Sequence, residues 1–379
     1  MSSSARLGIE TSLAHVDAQQ WNALAGTQPF LRHEFLSALH DTGCAAPSTG
    51  WTPYYLVLRR DGRLAGAAPL YLKTHSRGEY VFDYAWADAF ERHGLRYYPK
   101  LLAAVPFTPV AGPRLLAGNA QDRLELARGL IELAQGLQVS SLHVLFPDDD
   151  DLQALRKAGY MVREGVQFHW RNAGYAHLDE FLAALNHDKR KKIRQDSKKV
   201  RNAGVTFRWL RGAQIDDDML AFFYRCYCHT YFTHGNPPYL SQAFFQRLRA
   251  RLPQALVLIV AMRDGAPIAA ALNMQGGDTL YGRYWGALEF VPGLHFETCY
   301  AQSIAYCIEE RLACFEGGAQ GEHKMARGLL PAPTWSAHWI ADARFAAAVE
   351  DFLERESAAI NSYMGELEAH TPFRRTYKK

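Results

Sequence analysis

The densest run of chemistry-bearing residues reads Glu316-Gly-Gly318-Ala-Gln320-Gly321-Glu322-His323-Lys324, followed by Arg327-Gly328. Gly317, Gly318 and Gly321 permit tight turns and close backbone approach. Glycines interleaved with titratable side chains predict a loop that lines an active cleft; the plainer alternative is a surface turn with solvated charges. Acyl transfer to an amine would use such a set. An ammonium must lose a proton, the developing oxyanion needs donors, and the leaving group can need an acid. His323 and Glu322 are the candidate bases, since imidazole titrates near neutral pH. Lys324 and Arg327 suit a carboxylate, a phosphate or a thioester oxygen, and Gln320 stands among them on the substrate side.

Glu297 is a third catalytic candidate. It sits in the first turn of an otherwise apolar helix, beside His295, although an acid there also reads as a cap. The helix start near Gly293 and His295, with the turns at Gly318 and Gly321, offers backbone N–H groups to an anionic donor group. His338, two residues after Ser336, is a candidate that folds back on the same cleft. In the first half, Asp83, Trp86 and Asp88 precede Tyr97, Tyr98, Lys100 and Arg114. Aromatics beside acids suit an amine-bearing ligand through charge pairing and cation–π contact. Trp86, Asp88, Tyr97 and Lys100 are therefore candidates for binding such a ligand, and Arg114 and Trp285 are further substrate-binding candidates. An interior role for Trp86 and Tyr97, with Asp88 as a cap, fits the same residues.

The elements that must position these groups follow from composition and pattern. The chain has 379 residues, with 48% apolar and 21% charged, which is the composition of a globular protein of two or three domains. Forty-two basic residues against 39 acidic ones argue against a general nucleic-acid binder. No apolar run approaches the ~20 residues of a membrane span, and the first fifteen residues lack the apolar core of a secretion signal. Six irregularly spaced cysteines predict reduced thiols in the cytoplasm and no disulfide framework. Cys226 and Cys228 stand C-x-C with no matching pair, so no metal site is expected. The chain also lacks a G-x-S-x-G elbow and a G-x-x-x-x-G-K-[ST] loop.

The two halves repeat each other. Leu56–Pro69 and Ile259–Leu272 each read as strand, Asp-Gly turn and small-residue strand, a strong hairpin signal. Upstream, Pro29-Phe30-Leu31 and Phe35-Leu36 match Pro238-Tyr239-Leu240 and Phe244-Phe245. Downstream, Tyr84-Ala-Trp86-Ala matches Tyr284-Trp285-Gly-Ala. The expected organisation is a duplicated α/β module, with units over 1–165 and 206–379 joined at 166–205. One helix, Leu178–Val200, is expected at the joint. Its basic run, Lys189 to Arg201, reads either as a contact for tRNA or another anion or as a solvated face.

Helix pair, hairpin, third strand and long helix is the order of the GNAT acetyltransferase fold, and two such modules in tandem resemble the FemAB group. The resemblance to FemAB-like predicted N-acyltransferases rests on longer strings. These are Phe82–Phe90, Tyr97–Leu101, Val105–Arg114, Leu294–Tyr300, Glu316–Lys324, Arg327-Gly328, Pro333-Thr334 and Ser336–His338. It implies an α/β tandem of GNAT-like modules with mixed sheets flanked by helices. It also implies direct transfer of an acyl or aminoacyl group to a small-molecule or peptide amine, in peptidoglycan biosynthesis or recognition. No cofactor would be held permanently, and acyl-CoA would be the donor co-substrate. Two alternatives stay open: an aminoacyl-tRNA donor, and a binding module without catalysis. One departure matters. GNAT enzymes carry a Gly-rich pyrophosphate loop after the central strand, whereas here Glu289-Phe-Val-Pro-Gly293-Leu-His-Phe holds one glycine.

Overall fold

A computed structural model describes residues 5–319 and 321–374. Two compact units result. One comprises Met1–Val166 with Pro333–Tyr363, the other Gln167–Ala332 with Met364–Lys379. The expected linear division at 165 and 206 differs from these units in two places. Pro333–Tyr363 falls with the first unit, and most of 166–205 falls within the second.

In the first unit, Ala5–Glu10, Tyr55–Arg60, Arg63–Ala68 and Leu116–Ala117 form an antiparallel sheet in that order. Ser141–Leu145 lies parallel to Lys100–Ala103 and antiparallel to Leu330–Ile340 through Ser336–Ile340. Leu126 and Leu130 of helix Ala120–Gly136 pack with Leu56, Leu58, Leu142 and Val144 in a fully buried core.

In the second unit the antiparallel order is Val205–Arg211, Leu256–Arg263, Ala266–Gly276 and Thr279–Ala287. Cys314–Glu316 then joins parallel to Thr279–Ala287. Helix Asp217–Thr233 packs on this sheet. Gly286 sets the spacing, because a Cβ there would stand 1.9 Å from the Cys226 carbonyl oxygen. Gly286→Ala therefore forces strand and helix apart. It is expected to cost about 3 kcal/mol, at the upper end for an overpacked core, and denaturant melts of the two proteins check this.

The duplicated hairpin is present in both units down to its irregularities. Asp61 and Gly62 have φ of 49° and 79°, Asp264 and Gly265 of 50° and 78°, the positive pair that a two-residue hairpin turn needs. The ladder shifts register between Leu58 and Arg59 in one hairpin and between Ala261 and Met262 in the other, three residues before the turn each time. The helices that follow Pro29-Phe30-Leu31 and Pro238-Tyr239-Leu240 also correspond, His33–Asp41 and Gln242–Arg251. The downstream match does not hold. Tyr284-Trp285 lies on strand Thr279–Ala287, whereas Tyr84–Arg92 is a helix that buries Trp86 and Phe90 one turn apart. Spacing of i, i+4 decides for helix there.

The helix expected over 178–200 is two helices, Leu178–Ala184 and His187–Asn202. Leu185 turns extended, and the Asn186 side chain accepts from the Lys189 N–H, capping the second helix. An asparagine cap inside the run is what splits it.

Candidate functional site

The second unit gathers most of the polar candidates around one helix start. Gly293, in the left-handed region at φ 88°, opens a continuous helical run. That run is Leu294–Phe296 in α form, Glu297–Ala301 in π form, and Gln302–Glu309 in α form again. Single π turns inside helices occur often at functional sites. A Cβ at Gly293 would meet Asp196 of the basic helix at 3.3 to 3.5 Å, so glycine allows the two segments to pack. Val291 and Leu294 complete the contact by burying against Val200.

Glu297 is buried. Its carboxylate accepts from the Ser197 hydroxyl at 2.5 Å and from Gln302 Nε2 at 3.0 Å. His295 lies between Trp285 and Tyr300, at ring distances of 5.3 and 5.8 Å. Loss of water around the ring, with His323, Arg327 and Lys324 nearby, lowers its pKa to about 4.

The Gly-rich segment folds back onto the same helix start. His323 Nε2 lies 3.4 Å from the Tyr300 hydroxyl, and its ring stands against Phe296. Partial desolvation and the cations Lys324 and Arg327 hold its pKa below the usual histidine range. The imidazole is therefore neutral at pH 7 and able to take a proton. Gly321, at φ 116°, makes room for it, since a Cβ would fall 2.2 Å from that ring. Lys324 is buried and donates to the Gly318 carbonyl at 2.6 Å; burial, then Arg283, lowers its pKa to about 8. Arg327 donates to Asp196 at 2.8 Å and lies over the Phe296 ring at 4.2 Å. Glu322 is exposed, and Gln320 lies outside the described residues.

A small pocket, partly open to solvent, lies at this point. Phe181, Leu182, Ile193, Tyr300 and Ile304 are on its wall, together with Glu297. The parallel pairing of Thr279–Ala287 with Cys314–Glu316 lasts only through Tyr281 and Glu316. The former strand runs on to Ala287, paired with Ala266–Gly276 alone.

Glu316, which opens the Gly-rich run, has two neighbours that no motif pointed to, His169 and Cys314. Glu316 and His169 are direct cross-strand neighbours, and Cys314 shares their face by strand alternation. Their ligand-type atoms lie within 4.8 Å of one another. Burial raises Glu316 to about 7 against the pull of Arg283 and Arg171, and burial lowers His169 to about 4. The alternation Gln167, His169, Arg171 is the one sequence signal that points to this face.

The first-half candidates are placed otherwise. Lys100 is fully buried and donates to Ser76 Oγ at 2.7 Å, to Glu79 at 2.8 Å and to Asp83. Tyr97 donates to Asp83 at 2.6 Å and lies 3.1 Å from His143 Nε2. His143 and His338, opposed across the ladder, share an Nδ1–Nδ1 hydrogen bond of 2.7 Å. One ring must donate and the other accept. Trp86 packs edge-on against His338 at 4.9 Å. His338 thus joins an interior network of the first unit instead of the Glu316–Arg327 segment. Arg114 is likewise interior, donating to the carbonyls of Val110, Gly112 and Pro113. Asp88 alone of this group is exposed.

Among known proteins, the profile of the FemAB-like family, described as peptidoglycan biosynthesis/recognition, matches residues 12–375. No curated protein matches the chain. A crystal structure of FemX is similar at a TM-score of 0.57 and 14% identity, over 90% of this chain and 100% of that one. A conserved protein of unknown function from Bacteroides thetaiotaomicron is similar at 0.53 and 12%, over 89% and 100%. A tandem GNAT protein from the clavulanic acid pathway overlaps 89% of this chain and 99% of its own at 0.44 and 12% identity. Among the described residues, no helix is long and apolar enough to cross a membrane. A duplicated hairpin with matching turns and register shifts, a profile match over nearly the whole length and a FemX-like fold converge: the chain belongs to the FemAB-like family and has its mixed α/β fold of paired GNAT-like modules.

Proposed function

We propose that the protein is an N-acyltransferase whose chemistry is carried by the second unit. The observation that supports this most is the convergence of His323, Tyr300, Glu297 and His295 on one helix start beside an apolar pocket. In this reading the amine attacks the donor carbonyl directly, and neutral His323 takes its proton. The nitrogen–carbon bond forms as the carbon–sulfur or carbon–oxygen bond to the donor breaks, and the leaving group departs with its electron pair. Lys324 and the backbone N–H groups around Gly318 and Gly321 supply positive potential near the carbonyl oxygen. The family's peptidoglycan designation favours an amine of a cell-wall peptide precursor as acceptor. All six cysteines are free thiols, in keeping with a cytoplasmic setting. The test is transfer itself: purified protein with an acyl-CoA or a charged tRNA and a panel of amines, the product weighed by mass spectrometry.

The donor divides on one element. An acyl-CoA donor follows from the superfamily, and the turn before Gly293 has to serve its pyrophosphate with a single glycine. An aminoacyl-tRNA donor is favoured by helix His187–Asn202, where Lys191, Lys192, Arg194, Lys198, Lys199 and Arg201 are exposed. Replacing Lys191, Lys192 and Arg194 by glutamine is expected to weaken tRNA binding and to reduce the slope of log affinity against log salt by about two to three. Filter binding across a salt series checks it. An unchanged slope counts for the CoA donor.

A further inference from the structure

The pocket wall carries three charged groups, and two of them cancel. Asp196 and Arg327 pair at 2.8 Å. Glu297 is left with two neutral donors, the Ser197 hydroxyl and Gln302 Nε2, and among the described residues it has no cation in contact. A carboxylate 8% exposed on a wall that is apolar apart from the Asp196–Arg327 pair disfavours three kinds of occupant. An anion meets like charge, a bare alkyl chain leaves the carboxylate uncompensated, and a small polar amine leaves the apolar wall unused. An ammonium with an apolar substituent satisfies both parts. The π turn contributes to the shape: Glu297, Tyr300 and Ala301 all come from its five residues and all face the pocket.

We infer that this pocket is a subsite for an amine bearing an apolar substituent, with its ammonium on Glu297 and its alkyl or aryl part against Phe181, Leu182, Ile193 and Ile304. The word acceptor for that amine rests on the transferase reading; the binding itself does not.

The experiment is calorimetric titration of the full chain with n-butylamine through n-octylamine, set against n-hexanol and hexanoate. The amines are expected to bind about fourfold more tightly per added methylene until the pocket is filled, while hexanol and hexanoate bind at least tenfold more weakly than hexylamine. Glu297→Gln is expected to weaken hexylamine by tenfold or more. Ile304→Ala, which opens the inner wall, is expected to move the preferred chain to a longer one. Melting curves establish that each variant folds, and if Glu297→Gln does not, the contrast among amine, alcohol and acid in the unmodified protein decides alone. Equal binding of hexanol or hexanoate overturns the inference, as does no binding by any amine or an affinity indifferent to both variants. Amine binding of the stated pattern without transfer from any donor sinks the transferase reading and leaves the subsite standing. Transfer to amines with no dependence on Glu297 or chain length does the reverse.

Discussion

His323→Ala is expected to lower kcat for acyl transfer by about 10²- to 10⁴-fold, the range for losing a general base, while the melting temperature stays close to that of the unmodified protein. The side chain is exposed, and its one hydrogen-bond-range contact is the Tyr300 hydroxyl at 3.4 Å, so little folding energy depends on it. The pH profile gives a second reading of the same group. Its folded pKa lies below the ordinary 6.5, through desolvation first and then Lys324 and Arg327. The proton-accepting form is therefore dominant at pH 7, and kcat/KM is expected to stay level above neutrality and to fall only on the acid side of the ordinary histidine range. The variant should lose that acid limb. A module of the same fold that binds without catalysis would show neither effect.

Lys100→Ala is expected to destabilise the first unit by about 3–5 kcal/mol, the cost of removing one partner from a buried ion pair. Its ammonium is wholly enclosed with Glu79, Asp83 and Ser76. Without it, Asp83 loses its buried ammonium and Glu79 keeps only Lys73 among the described residues, at 3.9 Å. Burial alone would raise the Asp83 pKa, but Lys100 and His143 pull it well below the usual carboxylate range. A depressed folded pKa contributes stability above the unfolded value of about 3.9 and loses it as pH falls. The gap between the two proteins should therefore be widest near neutral pH and narrow below about pH 4. Lys100→Ala with Asp83→Asn should recover part of the loss, because the buried carboxylate is then removed with its cation. Urea unfolding at several pH values measures all of this.

The fold was legible where local chemistry decides. Asp61-Gly62 and Asp264-Gly265 announced the duplicated hairpin, and the helices after Pro29 and Pro238 followed from pattern. Tyr84-Ala-Trp86 misled because its likeness to Tyr284-Trp285 is one of letters only. The i, i+4 spacing of Trp86 and Phe90 is the better guide, and the segment is a helix. The division of the chain into units was harder, since strand Leu330–Ile340 brings Ser336 and His338 to the first unit by pairing with Ser141–Leu145, a long-range choice without a local signal.

Within the candidate site, His323, Lys324, Arg327, Glu297 and His295 were legible as residues because glycine spacing and a helix start mark them. Their partners were not. Ser197 reaches Glu297 across 100 positions, and Asp196 reaches Arg327 across 131. The first-half group, Trp86, Tyr97 and Lys100, had the types of an amine site. Burial turned those same types into an internal network, and only packing distinguishes the two.

The most direct test of the account is a single-turnover transfer assay. It pairs one donor from each class, an acyl-CoA and an aminoacyl-tRNA, with a peptide amine acceptor, using the unmodified protein and His323→Ala side by side. An N-acylated product from one of the two donors is expected, lost by at least 10²-fold in the variant. No product from either donor with a folded protein, or product formed equally fast without His323, would contradict it.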